Sequence, residues 1–241
     1  MYRMPFAALA LACAFAASVP VCPIKAAEFS SSQRQAIEAI IHDYLMQNPD
    51  VLIEALRTAE DAKGKQALSD RRAEIFNDPA TPVGGNPHGD VSIVEFFDYR
   101  CPYCKQVQPA LETLLGQDPK LRFVYKEMPV LGPSSVVAAH AALAARLQGK
   151  YEPFHNAMMA TKGQISEDVV YRVAGSVGLD VERLKRDMAS PEVDQAVKAN
   201  LALAEALDIR GTPGFIIGDH IIPGAIELDS LKDLIAESRK G

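Results

Sequence analysis

Two cysteines that directly follow an apolar segment constrain this chain more than any other feature. The segment VSIVEFFDY at residues 91–99 predicts a strand, and the Cys101-Pro102-Tyr103-Cys104 motif behind it predicts the start of a helix. A cysteine at a helix N-terminus faces unpaired backbone N–H groups and the positive end of the helix dipole. Both stabilise a thiolate, so we expect the pKa of the Cys101 thiol to lie below its usual value of about 8.5.

A zinc site and an inert structural disulfide are the alternatives to a reactive pair. Cys104 lies one helical turn after Cys101, close enough to form a disulfide with it or to resolve a mixed disulfide. Zinc needs four ligands, and the remaining cysteines, Cys13 and Cys22, and the five histidines show no second pair at ligand spacing. A redox-active dithiol is therefore the favoured interpretation.

Residues 1–27 are typical of a secretory signal peptide. Arg3 precedes an uncharged run over residues 4–21, and small residues end the segment at Ala26-Ala27. Cleavage after Ala27 is expected, and cleavage further upstream, which would leave Cys22 in the mature chain, is the alternative. The predicted location is the periplasm, where disulfides form and persist. A single cysteine pair in an exported chain of this length indicates catalysis rather than structural crosslinking.

The net negative charge of the chain limits the classes of macromolecule that it is expected to bind. Removal of residues 1–27 removes Arg3 and Lys25 and no acidic residue, so 25 basic residues fall to 23 against 31 acidic ones. The net charge then changes from −6 to −8. A chain this acidic does not favour nucleic acid as a partner.

The chain is predicted to contain a helical N-terminal segment, a linker and an α/β catalytic domain. Residues 28–77 carry apolar side chains at helical spacing as far as about residue 59, and residues 78–90 are rich in proline and glycine. In residues 91–241, a second strand is expected at 121–125, a helical insertion at about 133–209 and a hairpin around Gly218-Asp219. This order predicts a thioredoxin-like fold with an inserted helical domain.

With these motifs the chain resembles the DsbA-like family of exported thiol-disulfide oxidoreductases over about residues 80–240. The segment YLMQNP at residues 44–49, with the amphipathic stretch after it, resembles the N-terminal extension of ScsC-type proteins. The resemblance implies exported substrate proteins with cysteines, a membrane redox partner of DsbB or DsbD type and a link to copper tolerance. No organic cofactor or metal is expected, because the dithiol itself carries the electrons.

The expected catalytic residues are Cys101, Cys104 and Glu95. Cys101 is the predicted nucleophile with an accessible, low-pKa thiol, and Cys104 is the more buried resolving thiol. The Pro102-Tyr103 dipeptide is expected to tune the reduction potential. Glu95, a carboxylate in an apolar strand, matches an acid of the family by position, and we expect it to be buried and to relay a proton to or from Cys104. An exposed glutamate at the sheet edge is the alternative.

Thr212-Pro213 is expected to face the dithiol. The motif precedes the predicted hairpin, and in the thioredoxin fold the matching proline is cis and lets an extended substrate pair with the backbone of Thr212. An ordinary trans turn is the alternative. Lys105 and Lys126 are interpreted as solvated charges, with added positive potential at the thiolate as the alternative, and His155 as a surface or core histidine.

These features together predict a periplasmic protein thiol-disulfide oxidoreductase that leans toward isomerisation. A disulfide-donating oxidase of the same fold is one alternative. A copper-binding or chaperone module that uses the same sulfurs is another, because soft thiolates suit Cu(I). The apolar stripe of residues 28–77 needs a partner, so we expect a homo-oligomer, a trimer. A monomer whose N-terminal helices fold back on the catalytic domain is the rival.

Overall fold

The computed structural model describes residues 29–240. The predicted signal peptide, its cleavage site and Cys13 and Cys22 lie outside the described residues. Within residues 29–240, no helix is both long and apolar enough to cross a membrane.

Five strands form one mixed sheet in the order β1-β3-β2-β4-β5. The strands are β1 Val83–Gly85, β2 Val91–Phe97, β3 Leu121–Glu127, β4 Gly214–Ile217 and β5 His220–Pro223. β2 and β3 run parallel, and the other neighbouring pairs run antiparallel. In the β2–β3 register Glu95 lies opposite Tyr125, and Phe97 lies opposite Glu127.

The helices lie before, between and after these strands. They are α1 Ser31–Gln47, α2 Pro49–Asp70, α3 Arg72–Phe76, α4 Pro102–Gln117, α5 Pro133–Arg146, α6 Tyr151–Ala160, α7 Glu167–Ser176, α8 Val181–Met188, α9 Pro191–Ala206 and α10 Leu228–Ser238. The predicted helical insertion corresponds to α5–α9, and the predicted hairpin to β4 and β5. The expected thioredoxin-like fold is confirmed.

The sheet is buried on both faces, which explains why β2 and β3 are almost continuously apolar. One face carries Ile93 and Phe97 of β2 and packs against α4, α5 and α6. The opposite face carries Val94 and Phe96 and packs against residues of α2, α3 and α9. The dithiol helix α4 begins at the carboxyl end of β2, on the first of these faces.

The N-terminal boundary differs from the prediction. The described residues divide into two compact units between Glu54 and Ala55, instead of at residue 77. Leu68 of α2 and Ile75 of α3 are buried in the core beneath β2 and β3, so this part of the predicted oligomerisation segment belongs to the catalytic unit. Because Leu68 and Ile75 lie among charged residues, the sequence gives little sign that this part of the chain packs on the sheet.

The predicted linker at residues 78–90 is also wrong in part. Val83–Gly85 forms the edge strand β1, which pairs antiparallel with β3 from Val124 to Arg122. The segment is short and rich in glycine, and an edge position needs hydrogen bonds on one side only, so strand pairing here leaves little signal in the sequence.

Lys126 is buried, contrary to its interpretation as a solvated charge. Its Nζ donates to the carbonyl oxygen of Glu74 at 2.9 Å and to Oγ1 of Thr81 at 2.6 Å. Burial lowers the pKa of Lys126 to about 8, against the opposing attraction of Asp78. The lysine fastens the segment before β1 to the sheet and lies on the face opposite the dithiol.

Candidate active site

The dithiol lies where β2 passes into α4. Cys101 is the N-cap of α4, and Pro102 occupies the first helical position, where a missing N–H costs no hydrogen bond. The backbone N–H of Cys101 donates to the carbonyl oxygen of Asp98 at 3.0 Å. The carbonyl oxygen of Cys101 accepts from the backbone N–H of Lys105 at 3.2 Å. Strand, turn and helix therefore hold the first sulfur at the helix N-terminus, as the sequence predicts.

The two thiols differ in acidity. A hydrogen bond with the Cys104 side chain is the main cause that lowers the pKa of Cys101 to about 5. Burial opposes it, and hydrogen bonds with Thr212 and with the backbone at Cys104 and Tyr103 lower the pKa further. Burial raises the pKa of Cys104 far above its usual range. At neutral pH Cys101 is thus the thiolate and Cys104 the thiol, the division that thiol exchange requires.

Both cysteines are free and buried. Cys101 is only 3% exposed and Cys104 is 0% exposed, so the expected order of exposure holds but the expected accessibility of Cys101 is wrong in this conformation. The Cys101 thiol donates to the carbonyl oxygen of Thr212 at 3.2 Å, and this contact helps to shield the thiol from solvent. A thiolate cannot donate this bond, so it belongs to the protonated form.

Thr212-Pro213 faces the dithiol, as predicted. The Thr212–Pro213 peptide bond is cis, and β4 begins directly after it at Gly214. The contact of Cys101 Sγ with the Thr212 carbonyl joins two loops that are 111 residues apart in the chain. The roles of Thr212 and Pro213 in substrate binding, and that of Pro102 in tuning the potential, stay predictions.

Glu95 is fully buried, so the alternative of an exposed edge residue is wrong. Neither carboxylate oxygen has a hydrogen-bond partner. Burial, followed by the charge of Cys101, raises the pKa of Glu95 to about 8. An acid that is close to half-ionised slightly above neutral pH can both take and give a proton, and its charge in turn helps to raise the pKa of Cys104.

Lys105 is half-buried and bonded, rather than solvated. Its Nζ donates to the carbonyl oxygens of Met158, Met159 and Thr161 at 2.7–3.1 Å, which ties α4 to the end of α6. Burial lowers its pKa, while the charge of Cys104 acts in the opposite direction. The lysine therefore fixes the position of α4 in addition to any effect on the sulfurs.

Asp98 is a site residue that the sequence analysis missed. It is buried, its Oδ1 accepts from the backbone of Arg100, and its Oδ2 accepts from Val130 and Leu131 at 3.0 Å each. The carboxylate thus ties the turn before Cys101 to the loop after β3. Its position at the end of an apolar strand, three residues before the dithiol, is the signal that could have identified it.

A second missed group surrounds His155, which the sequence analysis interprets as a surface or core histidine and which lies in the core. Its ring packs against Phe97, Tyr99, Tyr125 and Tyr151. Burial lowers its pKa to about 3, so the ring is neutral. Glu127, a buried acid at the end of β3, contacts two of these tyrosines and was not foreseen.

An exposed apolar surface adjoins the dithiol. The side chain of Tyr103 is 60% exposed, and Val130 and Leu131, which contact Asp98, are more than 40% exposed. Large apolar side chains around a reactive sulfur favour contact with unfolded or partly folded protein. Among the described residues, no group of three or more metal-ligating side chains occurs.

The chain matches two protein families. Residues 92–236 match the DSBA-like thioredoxin domain, and residues 33–60 match the N-terminal domain of the copper resistance protein ScsC. The first match includes the dithiol, the cis-proline loop and all of β3, β4 and β5. The second lies mainly in the first compact unit.

Solved structures with the same fold include several oxidoreductases. A thioredoxin-like oxidoreductase from Silicibacter pomeroyi is 49% identical and covers 70% of this chain and 98% of its own, with a TM-score of 0.69. A linker-deletion mutant of Proteus mirabilis ScsC is 29% identical and covers 90% and 99%, with a TM-score of 0.77. The thiol-disulfide exchange protein α-DsbA2 of Wolbachia pipientis is 30% identical and covers 74% and 97%, with a TM-score of 0.70.

Curated relatives include Na⁺/H⁺ antiporters named NhaA, such as one from Salinispora arenicola that is 27% identical over 161 residues. The chain spans about a quarter of the length of these curated relatives, 25% for this one. The similarity therefore concerns one part of the antiporters. The match over residues 92–236 and the geometry of Cys101, Cys104 and Pro213 show that the chain belongs to the DsbA-like family of thioredoxin-fold thiol-disulfide oxidoreductases.

Proposed function

We propose that the protein is a periplasmic thiol-disulfide oxidoreductase that acts on cysteines of exported proteins and mainly isomerises their disulfides. The observation that carries this proposal is the pairing of an acidic Cys101 thiol at a helix N-terminus with a buried Cys104 thiol and the Thr212–Pro213 loop. This arrangement supplies a nucleophile, a resolving group and a backbone edge for an extended substrate.

The reaction begins when the Cys101 thiolate attacks one sulfur of a substrate disulfide. The substrate S–S bond breaks, a mixed disulfide with Cys101 forms, and the other substrate sulfur leaves as a thiolate. That thiolate, or a different substrate cysteine, can attack the mixed disulfide and restore the Cys101 thiolate. The substrate then carries a rearranged disulfide, and no net electrons are transferred.

Resolution by Cys104 is the competing route. Cys104 loses its proton, attacks the Cys101 sulfur and releases reduced substrate, which leaves a Cys101–Cys104 disulfide. Because burial holds the Cys104 proton tightly, a nearby base is needed, and Glu95 is a buried acid whose charge acts on this thiol. We assign Glu95 to this proton transfer. A membrane partner of DsbD type would supply the two electrons that return this disulfide to the dithiol, whereas a partner of DsbB type would serve the oxidase direction, in which the dithiol must be reoxidised.

Reshuffling of a scrambled protein substrate tests the direction of the reaction. Wild-type protein, added reduced and in the presence of a metal chelator, is expected to restore activity to scrambled ribonuclease. An oxidase would instead promote recovery only of reduced ribonuclease, and only when added as the disulfide. No recovery of either substrate would contradict the proposed enzymatic function.

A copper-binding or chaperone role is the second candidate, favoured by the match of residues 33–60 to the ScsC N-terminal domain. In this role the two sulfurs would hold Cu(I) as soft ligands. The chelator in the reshuffling assay separates the two functions. Recovery of ribonuclease in chelator supports the enzyme, whereas loss of recovery restored by added copper supports the copper role.

We also propose a homo-oligomer, a trimer, formed through the first compact unit. No residue of α1 is buried, and Ile40, Ile41 and Tyr44 are more than half exposed. A helix with this apolar face is rarely stable without a partner. Several dithiols in one oligomer would favour reshuffling of substrate disulfides, since a neighbouring active site can recapture a released substrate.

Light scattering of the mature protein tests this assembly. We expect a trimer mass at tens of micromolar concentration and a monomer mass after removal of residues 28–54. The deletion ends at residue 54 because Leu68 and Ile75, farther along, are buried in the catalytic unit. Ile40→Glu is a point variant with the same expected loss. A monomer mass for the intact protein would contradict the proposal.

A further inference from the structure

A buried polar cluster lies beneath the turn that leads to the dithiol. Glu127 is 1% exposed, and its Oε1 accepts from the hydroxyl of Tyr99 at 3.0 Å and from the hydroxyl of Tyr151 at 2.7 Å. The Tyr99 oxygen also lies 3.1 Å from Nδ1 of His155. Oε2 of Glu127 and Nε2 of His155 are buried and have no hydrogen-bond partner.

The cluster is coupled to the active site through the chain and through the sheet. Tyr99 lies two residues before Cys101, on the turn whose backbone closes from Cys101 to Asp98. Glu127 lies opposite Phe97 in the β2–β3 register, on the same face of the sheet as Glu95. Strand spacing and rise place the Cα atoms of Glu95 and Glu127 about 8 Å apart.

The hydroxyl hydrogen of Tyr99 can be placed in two ways if both of its contacts are hydrogen bonds. Tyr99 has one hydroxyl hydrogen and cannot donate to Glu127 and His155 at the same time. Either it donates to Glu127 and accepts from an Nδ1–H of His155, or it donates to Nδ1 and accepts from a protonated Glu127. In both arrangements Glu127 holds the Tyr99 hydroxyl.

The surroundings favour the neutral acid. Burial raises the pKa of Glu127 well above its usual value, against the lowering effect of the Tyr151 and Tyr99 hydroxyls. The charged and titratable groups around it are Asp98 on the turn, Glu95 on β2, Tyr125 on β3, and Tyr151 and His155 on α6. None of them is a cation at neutral pH, because burial keeps His155 neutral.

We propose that Glu127 is a positioning residue of the active site, which acts as a neutral acid that anchors Tyr99 and thereby holds the turn from Asp98 to Cys101 in the geometry that activates the Cys101 thiol. Its effect on exchange rests on the proposed function, whereas its effect on the acidity of Cys101 does not. Glu127 thus acts on the active site from the end of β3, 26 positions after the nucleophile.

Two substitutions separate a hydrogen-bonding role from a charge or from simple filling of space. Glu127→Gln keeps an oxygen that accepts from both tyrosines and an N–H₂ group that can donate in place of the acid proton. Glu127→Leu keeps a similar volume but removes every hydrogen bond. If Glu127 acts as a neutral anchor, glutamine replaces it and leucine does not.

The readout is the pH dependence of iodoacetamide alkylation of Cys101 in the reduced, full-length mature protein. Glu127→Leu is expected to raise the midpoint by about one pH unit, which lowers the thiolate fraction about tenfold well below the midpoint. Glu127→Gln is expected to retain the wild-type midpoint. Tyr99→Phe keeps the ring and removes the anchored hydroxyl, so it is expected to shift the midpoint in the same direction as leucine. Glu205→Gln, the same change at an exposed glutamate of α9 outside this cluster, serves as the control.

Three results would overturn the proposal. The first is a glutamine variant that shifts the midpoint as far as leucine, which would indicate a charge. The second is a lower melting temperature for the Tyr99 and leucine variants with an unchanged midpoint, which would indicate packing alone. The third is an equal shift in the Glu205 control. If the leucine variant does not fold, the Tyr99→Phe result decides. Failure of the wild type to reshuffle ribonuclease would contradict the proposed function and leave these midpoints measurable.

Discussion

Replacing Cys104 with serine is expected to stop the protein at the mixed disulfide. Cys101 keeps its place at the start of α4 and still attacks, but a serine hydroxyl cannot displace the substrate from the Cys101 sulfur. Reduction of a protein disulfide should therefore fall by more than about a thousandfold, as expected when a reacting group is removed. Non-reducing electrophoresis and peptide mapping are expected to show substrate joined to Cys101.

Cys101→Ser is the matched control for this trap. It leaves a buried thiol at Cys104 whose pKa burial raises far above its usual range, so no mixed disulfide is expected at neutral pH. The variant with both cysteines replaced by serine gives the background level of adducts. If the Cys101→Ser protein accumulated adducts through Cys104 and the Cys104→Ser protein did not, the assignment of nucleophile and resolving thiol would be reversed.

Replacing Glu95 with glutamine is expected to stabilise the reduced protein by about 3 kcal/mol at pH 7. The pKa of Glu95 rises from 4.5 to about 8 on folding, chiefly because the carboxyl is buried. The folded protein therefore binds a proton that the unfolded chain has released, and the stability of the wild type falls as pH rises from about 4.5 to 8. Glutamine has no proton to bind and removes this dependence.

Denaturant unfolding of the reduced protein across this pH range measures the effect. The two proteins are expected to have similar unfolding free energies near pH 4.5 and to diverge toward pH 8. Exchange by the glutamine variant should also lose its pH dependence near neutrality, because the proton acceptor for Cys104 is gone. Glu205→Gln, at an exposed glutamate of α9, is the control. Parallel pH profiles of stability for wild type and Glu95→Gln would show that Glu95 does not titrate as assigned.

The predictions that rest on local chemistry agree with the structure. The position of Cys101 at the start of a helix follows from an apolar strand that runs directly into C-P-Y-C with proline at the first helical position. The hairpin follows from two short apolar runs around Gly218, which adopts a positive φ of 61°. The cis bond before Pro213 follows from its place in the thioredoxin order. Each depends on a few neighbouring residues and a family pattern.

The features that could not be predicted from the sequence depend on contacts between residues that are far apart in the chain. Lys126 belongs to a strand whose side chains alternate between two buried faces of the sheet. Its ammonium group is hydrogen-bonded by the segment from Glu74 to Thr81, about 50 residues earlier in the chain. Leu68 and Ile75 are two apolar residues in a charged stretch, and β2, the first of the strands that they cover, begins at Val91, 16 residues after Ile75. Thr212 contributes to shielding Cys101 from solvent, and no sequence pattern near the dithiol indicates this contact.

The acidity of Cys101 in the reduced wild-type protein tests the central claim most directly. Iodoacetamide alkylation followed from pH 3 to pH 9, with the labelled peptide identified by mass spectrometry, reports the thiolate of each cysteine. The structure predicts a midpoint near pH 5 for Cys101 and almost no labelling of Cys104 in the folded protein. A midpoint of about 8.5, the value of an ordinary thiol, or faster labelling of Cys104 than of Cys101, would contradict the account.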